Sequence, residues 1–267
     1  DLIKDHTGKF YVLEDNLRVP SGVAYMLENR NVMKKVVTEL FNNYKVSPVD
    51  DYTSQLYKCL SDASYAKDKK KTIVILSPGI FNSAYFEHAY LAQQMGIVLV
   101  ESSDLCLSDD NYVYMKTISG KKKIDVIYRR INDDYLDPNV WIKDSTLGLP
   151  GLINSWKEKK VAIVNAPGSG VADDKAVYAF VPKMIEFYLN ETPKLAQVKT
   201  YLCAFDKDKK YVLDNIKKLV LKPVNESGGY GILIGPNASK KELEEYKQKI
   251  IDNPRNFVAQ PLIKLST

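Results

Sequence analysis

The chain has 267 residues, 45% of them hydrophobic, and a formal net charge of +5, as expected for a globular protein of one or two domains. No apolar run approaches the ~18 residues that a membrane-spanning helix needs, and no signal-peptide pattern is present. The three cysteines, Cys59, Cys106 and Cys203, lack metal-type spacing and give no disulfide framework. This cysteine usage favours a reducing, cytoplasmic compartment.

Lysines and acids are interspersed along the sequence, and the only long basic runs are 67–71 and 121–123. Each run lies beside the start of a predicted strand, so we interpret both as solvated loop tips rather than as a nucleic-acid patch. The 18 tyrosines are scattered and match no RNA-binding motif. The sequence therefore predicts neither a nucleic-acid partner nor a membrane partner, and it leaves the oligomeric state open.

The first segment of the chain, residues 1–66, is predicted to form a hairpin followed by helices. The hairpin has its turn at His6-Thr7-Gly8. Apolar residues at helical spacing follow, among them Tyr25, Val36 and Leu40, and they predict a helix with these side chains on its buried face. The basic run at 67–71 is the predicted boundary of this segment.

The second segment, residues 67–160, has the pattern of a parallel β-α-β unit. Its short apolar runs are typical of buried strands, and Gly96 is placed to end the helix between the first two. The predicted elements are strands at 72–76, 97–100, 112–117 and 124–128 and a helix at 84–95.

The third segment, residues 161–267, combines helices with a second group of strands. A helix is predicted to open at Asp173-Asp174-Lys175, with Val177, Phe180, Met184 and Phe187 on its apolar face. Ser239-Lys240-Lys241-Glu242 is a capping box for a further helix. The remaining predicted elements are strands at 161–164 and 257–261 and a helix at 211–219.

A strand, a glycine loop (residues 225–231) and a second strand are predicted within the third segment. Lys222 ends the first apolar run, and Gly228, Gly229 and Gly231 follow it in the loop. Glycines let backbone N–H groups approach a ligand closely, and a lysine adds a compact positive charge suited to phosphate. The alternative is a simple hairpin without a ligand.

Glu14 and Asn16 end the first hairpin and share one face of their strand, because side chains alternate along a strand. A carboxylate and an amide oxygen suit Mg²⁺ that also binds phosphate oxygens. The alternative is a turn that caps the next helix. Asp1, on the adjoining strand, is a candidate third ligand. Arg18 is placed to face an anionic substrate, or else forms a surface ion pair.

Other charged residues carry weaker signals. Lys175 lies near a predicted helix start, where backbone donors and a lysine favour an anion. Arg129 and Arg130 end a strand but precede three aspartates, which favours local charge pairing. We interpret His88 as structural, because no nucleophile motif lies near it. No hydrolase elbow, zinc-protease, Walker or dinucleotide-binding motif occurs.

Several of these segments, in this order, resemble the circularly permuted type 2 ATP-grasp family and, more distantly, the synthetase domain of glutathionylspermidine synthase. The resemblance covers nearly the whole chain. The motifs that carry it are Asp1-Leu2-Ile3, Leu13-Glu14-Asp15-Asn16, Arg18-Val19-Pro20-Ser21-Gly22, Glu87-His88, Tyr128-Arg129-Arg130, Asp173-Asp174-Lys175, Lys222-Pro223-Val224 and Gly228-Gly229-Tyr230-Gly231.

The resemblance implies an α/β protein with a circularly permuted ATP-grasp fold, in which α+β lobes hold ATP and Mg²⁺, beside a parallel β-α-β subdomain. It implies that 1–66 is a metal and substrate segment, 67–160 the β-α-β subdomain and 161–267 the nucleotide-binding lobe. Carried over by motif, the ATP-binding residues are Lys175, Lys222, Gly228, Gly229, Gly231 and Gln260. The metal ligands are Asp1, Glu14 and Asn16, and Arg18 lies near the reacting acyl phosphate.

The chemistry that the resemblance implies is ATP- and Mg²⁺-dependent ligation of a small-molecule carboxylate to an amine through an acyl phosphate. Such chemistry needs charge neutralisation and alignment rather than a protein nucleophile. The alternatives are a small-molecule kinase and a non-catalytic or partner-dependent nucleotide-binding module. The chain opens at Asp1 without a methionine and stops just beyond a predicted strand, so we expect a fragment of a longer polypeptide that is inactive alone.

Overall fold

The computed structural model describes residues 1–68, 70–226 and 228–266. The chain divides into two compact units. The first consists of Asp1–Leu17 and Ser169–Thr267, and the second of Arg18–Gly168. Each unit has its own sheets and its own buried core.

Fourteen β-strands lie within the described residues. In chain order they are β1 (Leu2–Lys4), β2 (Phe10–Val12), β3 (Ile73–Leu76), β4 (Val98–Val100), β5 (Leu105–Leu107), β6 (Val113–Thr117), β7 (Gly120–Lys123), β8 (Val126–Arg129), β9 (Ala162–Val164), β10 (Ala196–Gln197), β11 (Tyr201–Leu202), β12 (Leu219–Pro223), β13 (Leu233–Ile234) and β14 (Phe257–Pro261).

Ten α-helices lie in the same part of the chain. They are α1 (Val23–Val36), α2 (Thr38–Asn43), α3 (Tyr52–Asp62), α4 (Tyr85–Met95), α5 (Asp133–Leu136), α6 (Leu152–Lys157), α7 (Lys175–Tyr178), α8 (Val181–Met184), α9 (Asp206–Asn215) and α10 (Lys240–Asp252).

The predicted N-terminal hairpin is confirmed. β1 and β2 pair antiparallel with Leu2 opposite Val12, and β10 adds to β2 in parallel. Asp5 closes the turn, because its carboxylate accepts from the backbone and hydroxyl of Thr7 and from the backbone of Lys9. These hydrogen bonds, the Thr7 hydroxyl first, lower the pKa of Asp5 to about 2.

The second sheet of the first unit is antiparallel, in the order β11-β14-β12-β13. One face carries Leu221 and Ala259 into a core with α9 and α10. Residues directly opposite each other share a face, so Val220 with Gln260 and Lys222 with Val258 occupy the other side. The sheet therefore places a buried lysine and a buried glutamine on the same face.

Two local predictions in this unit are confirmed and one is wrong. β12 and β13 form the expected hairpin around the glycine loop, and Ser239 and Glu242 make both capping-box hydrogen bonds of α10. The single helix predicted after Asp173 is broken into α7, α8 and a π-helical turn, Ile185–Leu189. Pro182, the second residue of α8, lacks a backbone donor, and Phe187 is 80% exposed rather than buried.

The second unit is built around a parallel sheet in the order β4-β3-β8-β9, which confirms the predicted β-α-β unit. All four residues of β3 are buried, and Gly96 ends α4 in the left-handed conformation as expected. A second, antiparallel sheet has the order β5-β6-β7. β7 was not predicted, because its sequence Gly-Lys-Lys-Lys has no apolar alternation.

The boundaries of the two units differ from the predicted segments. The structure divides the chain at 17/18 and 168/169 instead of 66/67 and 160/161. The reason is packing: Leu60 of α3 is fully buried among residues of β3, α4 and β8 in the second unit.

In α1 the predicted apolar face is wrong, since Tyr25 and Val36 are exposed and Ala24 and Leu27 are buried.

No helix in the described residues is long and apolar enough to cross a membrane. The three cysteines form no disulfide: Cys59 is exposed, Cys106 half-buried and Cys203 buried. Burial raises the pKa of the Cys203 thiol to about 12.

Candidate functional site

A cavity of about 160 Å³ lies within the first unit, and we call it the Lys175–Lys222 cavity. It is formed by the residues that follow β2, the start of α7, the end of β12 and the glycine loop. The residues that line it are Leu13, Glu14, Asn16, Lys175, Lys222, Pro223, Glu226, Gly228, Gly229, Tyr230 and Ile232.

Glu14 and Asn16 both line this cavity, whereas Asp15 between them lines a separate apolar cavity. The predicted alternation therefore holds for these residues after β2. Tyr178 fixes the strand, because its hydroxyl donates to the Val12 carbonyl at 2.7 Å. Two oxygen-bearing side chains thus face one space.

Lys175 is the first residue of α7, whose N-terminus is capped by the Asp174 carboxylate. Its ammonium donates to the Glu226 carbonyl at 2.6 Å and lies 3.8 Å from a Glu14 carboxylate oxygen. The residue is only 9% exposed. Lys175 therefore connects Glu14, a candidate metal ligand, to the backbone of the glycine loop.

Lys222 is 6% exposed at the end of β12. Burial lowers the pKa of its ammonium, the Glu14 carboxylate opposes this shift, and the Lys175 ammonium adds to it. Two buried ammonium groups thus share one cavity, and Glu14 is the acid close to both of them. Because burying unneutralised positive charge is costly, this arrangement favours an anionic ligand.

The described part of the glycine loop has the backbone geometry that requires glycine. Gly228, Gly229 and Gly231 have φ angles of 65°, 80° and 67°. A Cβ at Gly231 would lie 2.8 Å from the Pro223 side chain, so this position also needs a small residue. Ser227 lies outside the described residues.

Gln260 does not line the cavity but shares the sheet face of Lys222 and is 4% exposed. Its side-chain NH₂ donates to the Thr200 hydroxyl at 3.0 Å and the Leu13 carbonyl at 3.4 Å. The Thr200 hydroxyl donates to the Val198 carbonyl, so both neighbours are acceptors and they fix the amide orientation. The buried Gln260 side-chain oxygen has no hydrogen-bond partner among the described residues.

Four sequence-predicted residues do not line this cavity: Gly231 and Gln260, described above, and Asp1 and Arg18. Asp1 is exposed and is held next to Leu13 by backbone pairing, with the Leu13 N–H donating to its carbonyl at 2.8 Å. Arg18 is half-buried and begins the second unit, where its carbonyl accepts from the Asn165 side chain. The roles of Asp1 and Arg18 as metal ligand and catalytic residue stay predictions.

Sequence reasoning missed the backbone contribution of Glu226 and the cavity-lining Tyr230 and Ile232. No side-chain signal identifies a carbonyl acceptor, because every residue carries one. Tyr230 and Ile232 are the neighbours of Gly231 in the sequence, and this proximity to the glycine loop is the one signal that could have identified them.

The charged residues of the second unit have structural partners. Arg129 donates to the carbonyls of Asn165 and Ile131 and forms an ion pair with Asp133 at 2.9 Å, as the local-pairing interpretation predicted. His88 is buried against the Ser77 hydroxyl at 3.0 Å. Burial and nearby Arg130 lower the pKa of His88 to about 4, consistent with a structural role.

The residues present fit a magnesium ion only if phosphate and water oxygens supply the rest of its coordination shell. The described chain contains no group of three or more His, Cys, Asp or Glu side chains that could hold a metal alone. Glu14 and Asn16 supply two hard oxygen donors beside the two lysines. Magnesium bound through one or two protein oxygens, phosphates and water is compatible with this donor set.

The family model described as circularly permuted ATP-grasp type 2 matches residues 1–267. The chain belongs to this family. A glutathione synthetase-like effector from Globodera pallida, solved in its apo form, has the same fold with a TM-score of 0.55 at 12% identity. The likeness covers 99% of this chain and 59% of that one. The family match confirms the expected permuted ATP-grasp fold, and the likeness agrees with it.

Sequence relatives of this ATP-grasp chain are longer proteins. An uncharacterized protein from Synechocystis sp. is 52% identical over 266 residues, which are 100% of this chain and 55% of the relative. A protein from Frankia casuarinae named putative glutamate–cysteine ligase is 41% identical over 268 residues, 100% of this chain and 31% of the relative. The chain thus spans about half the length, or less, of these relatives.

Proposed function

We propose that this chain is the nucleotide-binding part of an ATP- and Mg²⁺-dependent carboxylate–amine ligase that forms a peptide-like bond. The observation that carries the proposal is the burial of Lys175 and Lys222 around one small cavity with the Glu14 carboxylate. Two ammonium groups buried in one small cavity can neutralise several of the negative charges of a nucleotide polyphosphate.

The first task of the site is to hold ATP. Lys175 and Lys222 neutralise phosphate oxygens, and the backbone N–H groups of Gly228 and Gly229 cover them. The unpartnered Gln260 oxygen is an acceptor suited to the exocyclic amine of adenine. Every one of these groups belongs to the first unit.

Glu14 and Asn16 would hold Mg²⁺, which when bound neutralises the charge of the phosphates and aligns them for transfer. Glu14 also orients Lys175, since their charged groups lie 3.8 Å apart. The chain would thus bind the metal and the phosphates with groups that restrain one another.

In the proposed reaction, a substrate carboxylate oxygen attacks the γ-phosphorus and ADP leaves, which forms an acyl phosphate. An amine nitrogen then attacks the acyl carbon, phosphate leaves, and the amine loses a proton. The protein supplies alignment and charge neutralisation, so no serine, cysteine or histidine nucleophile is needed. Arg18 is proposed to stabilise the acyl phosphate.

The comparisons support the reaction class and leave the substrates open. The family match supports ATP as co-substrate, and the printed name of the Frankia relative supports acid–amine ligation. The chain covers only 31% of that relative, so we do not transfer glutamate or cysteine to it.

The decisive experiment is thermal unfolding of Lys222→Met with and without Mg·ATP. Met keeps the apolar stem and removes the charge, so the fold should persist while ATP affinity falls about tenfold or more. Lys218→Met, an exposed lysine before the same strand, is the matched control. Equal ATP-induced shifts in the two variants would refute the phosphate role of Lys222.

Product analysis then assigns the reaction class, with ATP, pooled carboxylic acids and pooled amines. Formation of ADP and phosphate only when both pools are present supports the ligase. ADP with a phosphorylated product would identify a kinase, and nucleotide binding without turnover a binding module.

A further inference from the structure

Three lysine-containing tracts of the second unit converge at one edge of the parallel sheet. Residues 70–71 precede β3, residues 120–123 precede β8, and residues 157–160 precede β9. The three strands are parallel neighbours, so their amino ends meet at the same edge. Charges that are far apart in sequence are therefore brought together by the sheet topology.

A cavity of about 180 Å³ lies at this edge, and we call it the Tyr112 cavity. Its walls come from the chain after α3, from the residue before β6, from the end of β7 and the residue before β8, and from the turn before β9. The residues that line it are Tyr65, Ala66, Tyr112, Lys123, Asp125, Lys159 and Lys160.

The three lysines of the Tyr112 cavity are not neutralised by the described residues. The Lys123 and Lys160 ammonium nitrogens lie 4.1 Å and 4.4 Å from the centre of the Tyr112 ring. No carboxylate in the described chain lies within ion-pair distance of any of the three. The cavity therefore carries an excess of positive charge.

Nearby acids already have other partners. The Asp125 carboxylate accepts from the Thr72 backbone N–H at 2.8 Å. Glu158, the acid of the third tract, accepts from the Asn111 side chain at 3.1 Å and does not line the cavity. Asp125 lines the cavity, yet neither acid forms an ion pair with any of the three lysines among the described residues.

The cavity walls are held in place by specific backbone features. The Lys71 ammonium donates to the Ala66 carbonyl, which ties the first tract to the wall of the cavity. Lys159 has a φ of 58°, in the left-handed region, just after α6 ends. Glycine is the usual residue at such a helix end, so a lysine here keeps a charge at a conformational cost.

We propose that the Tyr112 cavity binds a phosphate group of a small anionic ligand, separately from the Lys175–Lys222 cavity. Ammonium groups are compact point charges suited to phosphate, and three of them match more than one negative charge. The small volume admits a phosphate group rather than a folded macromolecular surface. The assignment does not depend on the proposed ligase activity.

The test is calorimetric titration of inorganic triphosphate, without magnesium, into the full chain carrying Lys222→Met. That background weakens the first cavity, so the remaining binding reports on the second. Lys123→Gln with Lys160→Gln should lower the affinity for triphosphate about tenfold or more. The matched control, Lys121→Gln with Lys157→Gln, removes the same charge from exposed positions outside the cavity and should change the affinity less than twofold.

Thermal unfolding of both double variants confirms that each is folded before titration. A tenfold loss confined to the cavity pair supports the site. Equal weakening by the two pairs shows diffuse charge attraction only and overturns it, as does the absence of binding to the Lys222→Met chain. Citrate binding as tightly as triphosphate would overturn the assignment to phosphate.

Discussion

Glu14, Asp15 and Asn16 leave β2 with alternating side-chain directions, and this alternation assigns them different chemistry. Glu14 and Asn16 face the two buried lysines, whereas Asp15 faces a cavity lined largely by apolar residues of α8 and the segment before β10. Burial raises the pKa of the Asp15 carboxyl group. Glu14 and Asp15, adjacent acids of nearly identical chemistry, thus have different surroundings because their side chains point to opposite sides.

Glu14→Gln should reduce the magnesium dependence of ATP binding, because it removes the carboxylate that lines the Lys175–Lys222 cavity together with Asn16. Asp15→Asn is the control, since it makes the same change one residue away on the opposite face. ATP affinity measured over a magnesium titration distinguishes the two. A magnesium response in Glu14→Gln that matches Asp15→Asn would exclude Glu14 as a ligand.

His88 predicts a pH dependence of stability. Burial lowers the pKa of its folded form to about 4, below the ordinary value of 6.5, so the unfolded chain binds more protons between these values. The stabilising contribution is complete above pH 6.5 and is lost as the pH falls toward 4. We expect the free energy of unfolding of the parent to decline relative to His88→Leu across this range, measured by denaturant titration. A constant difference would contradict a buried neutral His88.

At the scale of elements, α1 is capped by a side chain from α4 rather than by its own sequence. The Glu87 carboxylate accepts from the backbone N–H groups of Gly22 and Ala24 and pairs with Arg130 at 3.2 Å. Both charged side chains are completely buried, and Arg130 also donates to the Ser21 hydroxyl. One ion pair therefore joins α4, β8 and the start of α1.

Arg130→Met should destabilise the second unit by about 3–5 kcal/mol, because it leaves the buried Glu87 carboxylate without its charged partner. Adding Glu87→Gln should recover part of that loss, since the unpaired charge is removed. Chemical denaturation of the single and double variants measures the coupling. Strictly additive effects would show that the two residues do not stabilise each other.

At the scale of the whole molecule, the first unit is discontinuous in sequence and all residues lining the Lys175–Lys222 cavity belong to it. Residues 1–17 complete a fold that residues 169–266 begin. The two pieces pair directly, as the Ser266 N–H donates to the Lys4 carbonyl at 3.0 Å. The permuted order of the family is therefore visible within one compact unit.

A rearranged chain, in which 169–266 precede 1–17 through a glycine-serine linker of about five residues, should fold and bind Mg·ATP. The linker needs to span only the few residues from Lys4 back to Asp1, at ~3.3–3.6 Å per residue. Amide NMR dispersion measures folding, and thermal shift measures binding. A folded rearranged chain without an ATP response, beside a responsive parent, would show that the first unit alone does not suffice.

The sequence by itself determined the local elements and the family. Strong short-range patterns identified the hairpin at 1–16, the buried strand β3, the capping box of α10 and the strand–glycine loop–strand around Lys222. Such features depend on backbone preferences and alternation over a few residues, so they can be recognised without the fold. Exposed apolar residues such as Val36 and Phe187 misled the same reasoning, because periodicity does not reveal which face is covered.

Only the tertiary structure decided which distant residues share a space. Glu14 and Lys222 are 208 positions apart in the chain, yet both line one cavity with Lys175, because β2, α7 and β12 lie side by side in the first unit. Lys123 and Lys160, 37 positions apart in the chain, meet around Tyr112, because the parallel strands β8 and β9 bring the segments that precede them to one edge. Strand order determines which distant residues come close together, and it depends on long-range packing that local sequence patterns do not encode.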